Sequence, residues 1–311
     1  MRFIGGDEIR RALTFPALIA AMEDGHRRPR MESHDQLMGD EQALYFVRSA
    51  AAHGVAFGSK LVTSFPKNLA SGGKLPAVQG LYVLFDGTNG APAAVLDGTE
   101  ITVWKTAADS ALGAKLLAPS EPRTLLMVGA GAMAPWLARA HLAVRPSLRR
   151  VLVWNRTAER ANALAEGLRK EGIAAEAAIE LEAAVRQAEV ISAATRSHAP
   201  LVKGAWLKAG AHLDLVGGYT PETREADDEA ARRSRIFVDC RESAAVVGDI
   251  TQPIASGAIR KEDVLGDLYD LVGGRVPGRL SARDITLFKN AGGGHLDLMT
   301  AQAVLARLAA G

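Results

Sequence analysis

The hydrophobic pattern changes character near residue 118. From Thr124 onward, short apolar runs alternate with stretches of helical apolar spacing, the pattern of a parallel α/β sheet. TLLMV (124–128), RRVLVWNR (149–156), HLDLVGG (212–218) and RIFVDC (235–240) predict strands. GIAAEAAI (172–179) predicts a further short strand, and MAPWLARAHLAV (133–144) and AERANALAEGLRKEG (158–172) predict helices. LEAAVRQAEVISAAT (181–195) predicts a helix running into a strand.

The first 117 residues read differently. FPALIAAMEDGHRR (15–28) has helical spacing. ALYFVRSAAA (43–52), VAFGSKLVTSF (55–65), VQGLYVLFD (78–86) and PAAVLDG (92–98) predict antiparallel strands joined by turns such as DGTNG. ITVWKTAADSALGAKLL (101–117) predicts a long helix. A closing helix in LDLMTAQAVLARLAAG (296–311) is expected to pack back on the first domain, where it finds a partner. The expected fold class is therefore α/β: a parallel-sheet domain over 118–289, which the resemblance below makes a Rossmann domain, and an α+β domain formed by 1–117 with about 290–311, to which the same resemblance gives substrate binding and dimerisation.

Composition narrows the function. The 311 residues carry 37 Lys+Arg and 35 Asp+Glu, a formal charge of +2, so no basic excess exists to neutralise nucleic-acid phosphates. No apolar run reaches the length of a membrane span, and Asp7 and Glu8 interrupt any signal-peptide core. A cytoplasmic protein is the expectation. The single cysteine, Cys240, excludes an intramolecular disulfide. The seven histidines lack the i,i+4 pairing of a zinc helix, no G-x-S-x-G elbow is present, and Gly73-Lys74 is followed by Leu75, which excludes a Walker loop. No metal is expected.

One motif carries chemistry by its context. Gly129-Ala130-Gly131-Ala132-Met133-Ala134 follows an apolar strand and opens a helix, as a G-x-G-x-x-A dinucleotide fingerprint does. Gly129 allows the tight turn, Gly131 lets backbone meet pyrophosphate, and Ala132 and Met133 lead into a helix start that favours phosphate. At the next strand end an acid would take the ribose 2′-hydroxyl of NAD. Asn155-Arg156-Thr157 stands there instead, a set suited to a 2′-phosphate, so NADP(H) is favoured, with NAD(H) as the alternative.

These segments resemble the ornithine cyclodeaminase/μ-crystallin family. The carrying motifs are SKLVTSFPKN (59–68), LYVLFDGTNGAPAAVLDGTEIT (81–102), KTAADSALGA (105–114), VGAGAMA (128–134), VWNRT (153–157), AATRSHAPLV (193–202), VGGYTPETREAD (216–227), VVGDI (246–250) and GRLSARDITLFKNAGGGHLDLMTA (278–301). The resemblance implies a homodimer with an N-terminal substrate domain and a Rossmann domain. It also implies the activities found in the family: cyclic imino acid reduction, ornithine cyclodeamination, alanine dehydrogenation or thyroid-hormone binding.

It implies site residues as well. Lys60 matches the family's active-site lysine, placed to bind a substrate carboxylate or to protonate an imine nitrogen. Lys105 stands where the family commonly has Arg, a point charge in place of a bidentate fork. No clean match exists for the early-strand arginine. Arg48, a lone charge in an apolar strand, is the first candidate, and Arg30 the alternative. Thr106 and Ser110 suit either the cofactor or the core. Thr195, Ser197 and Pro200 end one strand and Val216, Gly217 and Gly218 another, the strand-end crevice where nicotinamide lies in such folds. Gly292 to Gly294 either line that cleft or form a flexible connector. The family's cyclodeaminases carry an aspartate directly after the glycine pair. Here it is Tyr219, which is neutral near pH 7. Reduction of Δ1-pyrroline-2-carboxylate or Δ1-piperideine-2-carboxylate is therefore expected, with ornithine cyclodeaminase and a non-catalytic, μ-crystallin-like binding protein as the alternatives.

Overall fold

In the computed structural model, residues 1–40, 42–71 and 75–310 are described, so the Gly73-Lys74 pair lies outside the described residues. The chain divides into two compact units, Met1–Lys105 with Gly293–Gly311, and Thr106–Gly292.

The first unit begins with β1 (Arg2–Ile4), α1 (Gly6–Ala12) and α2 (Phe15–Arg27). Its strands follow as β2 (Glu32–Gly39), β3 (Leu44–Ala52), β4 (Ala56–Ser64), β5 (Val78–Asp86) and β6 (Pro92–Asp97). The sheet order is β1-β6-β5-β4-β3-β2, antiparallel except that β1 lies parallel to β6. β2 is an addition to the predicted strands. Its residues are mostly exposed and its sequence, ESHDQLMG, shows no apolar alternation, so only pairing with β3 makes it a strand.

From Ala56 to Lys60, β4 alternates buried and half-buried positions, as a strand with one covered face does. α2 starts on Thr14, whose hydroxyl accepts from Ala17 N, and buries Phe15, Leu18, Ile19, Met22 and His26 along one stripe. Helix α3 (Gly98–Leu117) crosses the division between the units, with Lys105 in the first and Thr106 in the second.

The second unit supplies β7 (Thr124–Val128), α4 (Ala134–Val144), β8 (Arg150–Trp154), α5 (Ala158–Lys170), β9 (Ala175–Ala177), α6 (Leu181–Gln187), β10 (Val190–Ala193) and β11 (His212–Leu215). It continues with α7 (Asp228–Arg233), β12 (Ser234–Val238), α8 (Arg241–Ala244), α9 (Gly248–Ala255), β13 (Val264–Gly266), α10 (Leu268–Val272) and β14 (Ile285–Lys289). The eight strands are all parallel, in the order β13-β12-β14-β11-β10-β7-β8-β9. The order reverses at β7/β10, where open α/β sheets leave a crevice beyond the strand ends. β13 and β14 were not among the predicted strands. β14 is buried at every position and sits between β11 and β12. ITLFK, buried throughout and only five residues long, has no period that separates strand from helix.

The last helix, α11 (Gly294–Ala310), packs in the first unit against α2, β2, β3 and β4, as its lack of another partner predicted. The α2 contact is close: a Cβ on Gly25 would lie 2.6 Å from the Met299 sulfur. Among the described residues, no helix is long and apolar enough to cross a membrane.

Candidate active site

The glycine turn has the geometry its sequence predicts. Gly129 has φ +103°, and a Cβ there would lie 2.8 Å from the Ala194 carbonyl oxygen, so glycine is required twice over. A Cβ on Gly131 would meet nothing within 4 Å, and Gly131 and Ala132 are exposed, which leaves open backbone at the start of α4. These residues fit a dinucleotide pyrophosphate, which the helix start would attract.

Past β8, Arg156 and Thr157 are exposed. Asn155 is engaged: its Oδ1 accepts from Ala130 N at 3.2 Å and its Nδ2 donates to Thr157 O at 2.9 Å. It therefore ties the ribose-side loop to the glycine turn and keeps one amide hydrogen for a ligand.

The strand ends at β10 and β11 are packed more tightly than expected. A Cβ on Gly217 would fall 1.7 Å from Thr195 O, and one on Gly218 would fall 2.2 Å from Asp249 Oδ2, so packing alone demands both glycines. Val216 continues the ladder, donating its N–H to Ala193 O. Ser197 caps its own turn by donating to Ala199 O.

Ser110 takes the core role of its two readings: it is fully buried, donates to Asp214 Oδ1 at 2.8 Å and accepts from Asn290 Nδ2. Gly292 N donates to Asp239, and in the first unit Gly294 N donates to Ser33 Oγ at 3.1 Å, so both ends of that glycine run are held. Cys240 is buried and its thiol is pushed up to about 12, which removes it as a nucleophile.

The first unit assembles the cations. Strand register sets Arg48 opposite Lys60 and Lys60 opposite Tyr82, so the three side chains share one sheet face. Lys60 is buried, and its ammonium donates to Asp297 of α11 at 2.9 Å. Burial lowers the Lys60 pKa to about 8, with Lys105 and Arg48 helping and Asp297 opposing. Burial alone would raise Asp297, yet Lys60, Lys105 and Arg48 hold it below the ordinary carboxyl range.

Arg48 is not a lone charge. It donates from Nε and Nη2 to the two oxygens of Asp35, its cross-strand partner. Lys105 is 3% exposed, and among the described residues no hydrogen bond or ion pair holds its ammonium. Arg30 is exposed.

His26 and His295 stack edge to face at 5.3 Å. Burial, then His26 and the surrounding cations, keeps His295 well below its usual value, hence neutral. Lys60, Lys105 and Arg48 thus all act on the buried carboxylate of Asp297. Among the described residues, no cluster of His, Cys, Asp and Glu is placed to hold a metal.

The sequence model of the ornithine cyclodeaminase/mu-crystallin family matches residues 19–311. The chain belongs to that family. It is 45% identical over 302 residues to a Δ1-pyrroline-2-carboxylate reductase of Paracoccus denitrificans, covering 96% of this chain and 94% of that one. Two solved structures of family-like fold cover almost everything. The Thermococcus litoralis Δ1-pyrroline-2-carboxylate reductase in complex with NADH and L-proline matches with a TM-score of 0.92 at 27% identity, over 100% of this chain and 98% of the other. The iminosuccinate reductase of Paracoccus denitrificans in complex with NAD+ matches with a TM-score of 0.91 at 31% identity, over 99% and 96%.

Against this family background, the residue that sequence reasoning missed is Asp297. Its signal was present: a lone acid in the apolar helix LDLMTAQAVL needs a buried cation, the same argument that singled out Arg48.

Proposed function

We propose that the protein reduces a cyclic imino acid, Δ1-pyrroline-2-carboxylate or Δ1-piperideine-2-carboxylate, to the cyclic amino acid, with NADPH favoured over NADH. The carrying observation is the buried positive charge of Lys105, beside a buried Lys60 whose pKa lies at about 8. A substrate with one carboxylate matches that charge. Lys105 grips the carboxylate as a point charge. Arg48, already paired with Asp35, adds to the positive field from its place beside Lys60.

Lys60, protonated at neutral pH and held by Asp297, donates its proton to the imine nitrogen and emerges as a neutral amine. The nicotinamide, when bound, supplies the hydride that the imine carbon receives. Gly129, Gly131, Ala132 and Met133 hold the pyrophosphate. Asn155, Arg156 and Thr157 take the 2′-phosphate, and Thr195, Val216 and Gly217 border the nicotinamide. Fixed charge and orientation carry the acceleration.

The buried acid favours this reading over a non-catalytic binding protein. The cyclodeaminase reading lacks its aspartate: Tyr219 takes that place and is 53% exposed. The test offers the cyclic imine with NADPH and, separately, ornithine with catalytic NAD(P). NADPH oxidation by the imine supports reduction. Proline and ammonia forming from ornithine, with no imine reduction, would establish the cyclodeaminase.

The same reading makes the protein a cytoplasmic homodimer. Val47, Leu61 and Leu81 line up by register on the sheet face opposite Lys60, half-buried or exposed, and suit burial against a second copy.

A further inference from the structure

The parallel sheet contains a buried charged cluster that the proton and carboxylate chemistry leaves unused. Glu225, in the segment after β11, is fully buried. Its Oε1 accepts from Thr195 N at 2.6 Å and from Thr195 Oγ1 at 2.8 Å, and its Oε2 accepts from Gly217 N at 2.6 Å. Thr195 follows β10 and Gly217 follows β11, so one carboxylate joins two strand ends whose backbones already touch.

Behind it, Asp249 Oδ1 accepts from Glu225 N at 2.7 Å. Asp249 Oδ2 accepts from Lys289 Nζ at 3.0 Å, and the same ammonium donates to Leu215 O at 3.1 Å. Three ionisable groups are thus sunk in the interior with their bonds made, and burial, then Asp249, raises the Glu225 pKa to about 8 against the pull of Lys289. For stability alone such a cluster is a poor investment, since apolar packing of similar volume often does as well. What it adds is a fixed geometry, because breaking any one bond strands a buried polar group.

The geometry points to Glu225 as a positioning residue that clasps the strand ends at Thr195 and Gly217 into one rim for the nicotinamide end of the cofactor. This rests on the reading that the β10/β11 crevice takes a nicotinamide dinucleotide. It also changes what the rim offers. The N–H groups of Thr195 and Gly217 and the Thr195 hydroxyl proton are all given to Glu225, so the rim presents acceptors: the hydroxyl lone pairs and carbonyl oxygens. A carboxamide N–H₂ is the group that matches them.

Glu225→Gln tests the clasp. The glutamine keeps the shape, but its N–H₂ must face either the Thr195 donors or the Gly217 donor, which opens one side. Binding of NADPH or NADH is compared with binding of the matching nicotinamide-free fragment, 2′-phospho-ADP-ribose or ADP-ribose, and circular dichroism checks the fold. Leaving a buried donor or acceptor unsatisfied costs of order tenfold, so the dinucleotide dissociation constant should rise ~10-fold, with the fragment's unchanged within about twofold.

Thr195→Val removes one of the three donors and should weaken the dinucleotide in the same direction by less, while Thr195→Ser restores it. This pair decides the matter should Glu225→Gln fail to fold. Equal weakening of dinucleotide and fragment, or unchanged dinucleotide binding in the folded variants, overturns the clasp alone. A wild-type protein that binds neither ligand overturns the dinucleotide reading and the clasp together.

Discussion

Lys60 of β4 and Asp297 of α11 stand 237 residues apart in the chain and meet at 2.9 Å in the interior of the first unit. Neither group is tolerable there alone. Together they keep an ammonium charged near neutrality yet ready to release its proton, because burial has lowered its pKa to about 8.

Lys60→Met should therefore cut imine reduction by at least ~100-fold, the scale of lost general acid catalysis. The KM for the imine should change less than kcat, since Lys105, the proposed carboxylate grip, is untouched. Steady-state kinetics at pH 7 provide the check. A variant within tenfold of wild-type turnover would remove Lys60 from the proton step.

The sign of the pH dependence follows from the same group. The proton donor is present below its pKa and lost as pH rises through about 8, so imine reduction should fall on the alkaline side of that value. Asp297 raises the Lys60 pKa, so Asp297→Asn should move the alkaline limb to lower pH by about one unit or more, the usual reach of a neighbouring charge. The pH profile of kcat/KM measures this. An unmoved limb in a folded variant would separate Asp297 from the titration.

Arg156→Ala should weaken NADPH roughly 10- to 100-fold, the scale of one charge-assisted contact to phosphate. NADH should change little. Titration of both cofactors into both proteins decides it. A wild-type protein that binds NADH more tightly than NADPH would refute the assignment of Arg156.

Sedimentation at micromolar concentration should give a homodimer. Leu81→Glu, on the sheet face away from Lys60, places a charge where apolar surface is to be buried and should shift the protein to monomer with its fold intact. A monomeric wild type, or a variant that stays dimeric, counts against this face as the interface.

Local pattern was enough for much of this protein. The alternation of buried and half-buried positions from Ala56 to Lys60 in β4, the stripe on α2 and the strand–glycine–helix order around Gly129 are written within a few residues each, because burial of one face imposes a period on neighbouring positions. The cofactor turn was legible for the same reason: its geometry demands glycine at 129 whatever surrounds it. Lys60 and Lys105 were named through the family's motifs, while their burial came from the fold.

Pairings across long chain separations leave no such period, and tertiary structure alone decided them. β2 is a strand only because β3 pairs with it, and β14 is placed between β11 and β12 by the sheet rather than by its own apolar run. Asp35 turned Arg48 from an isolated cation into half of an ion pair. Glu225 and Asp297 acquire their roles only when the fold brings Thr195, Gly217 and Lys60 to within hydrogen-bond reach. A buried charge announces that it needs a partner, but the identity of that partner depends on which distant segment the fold packs against it.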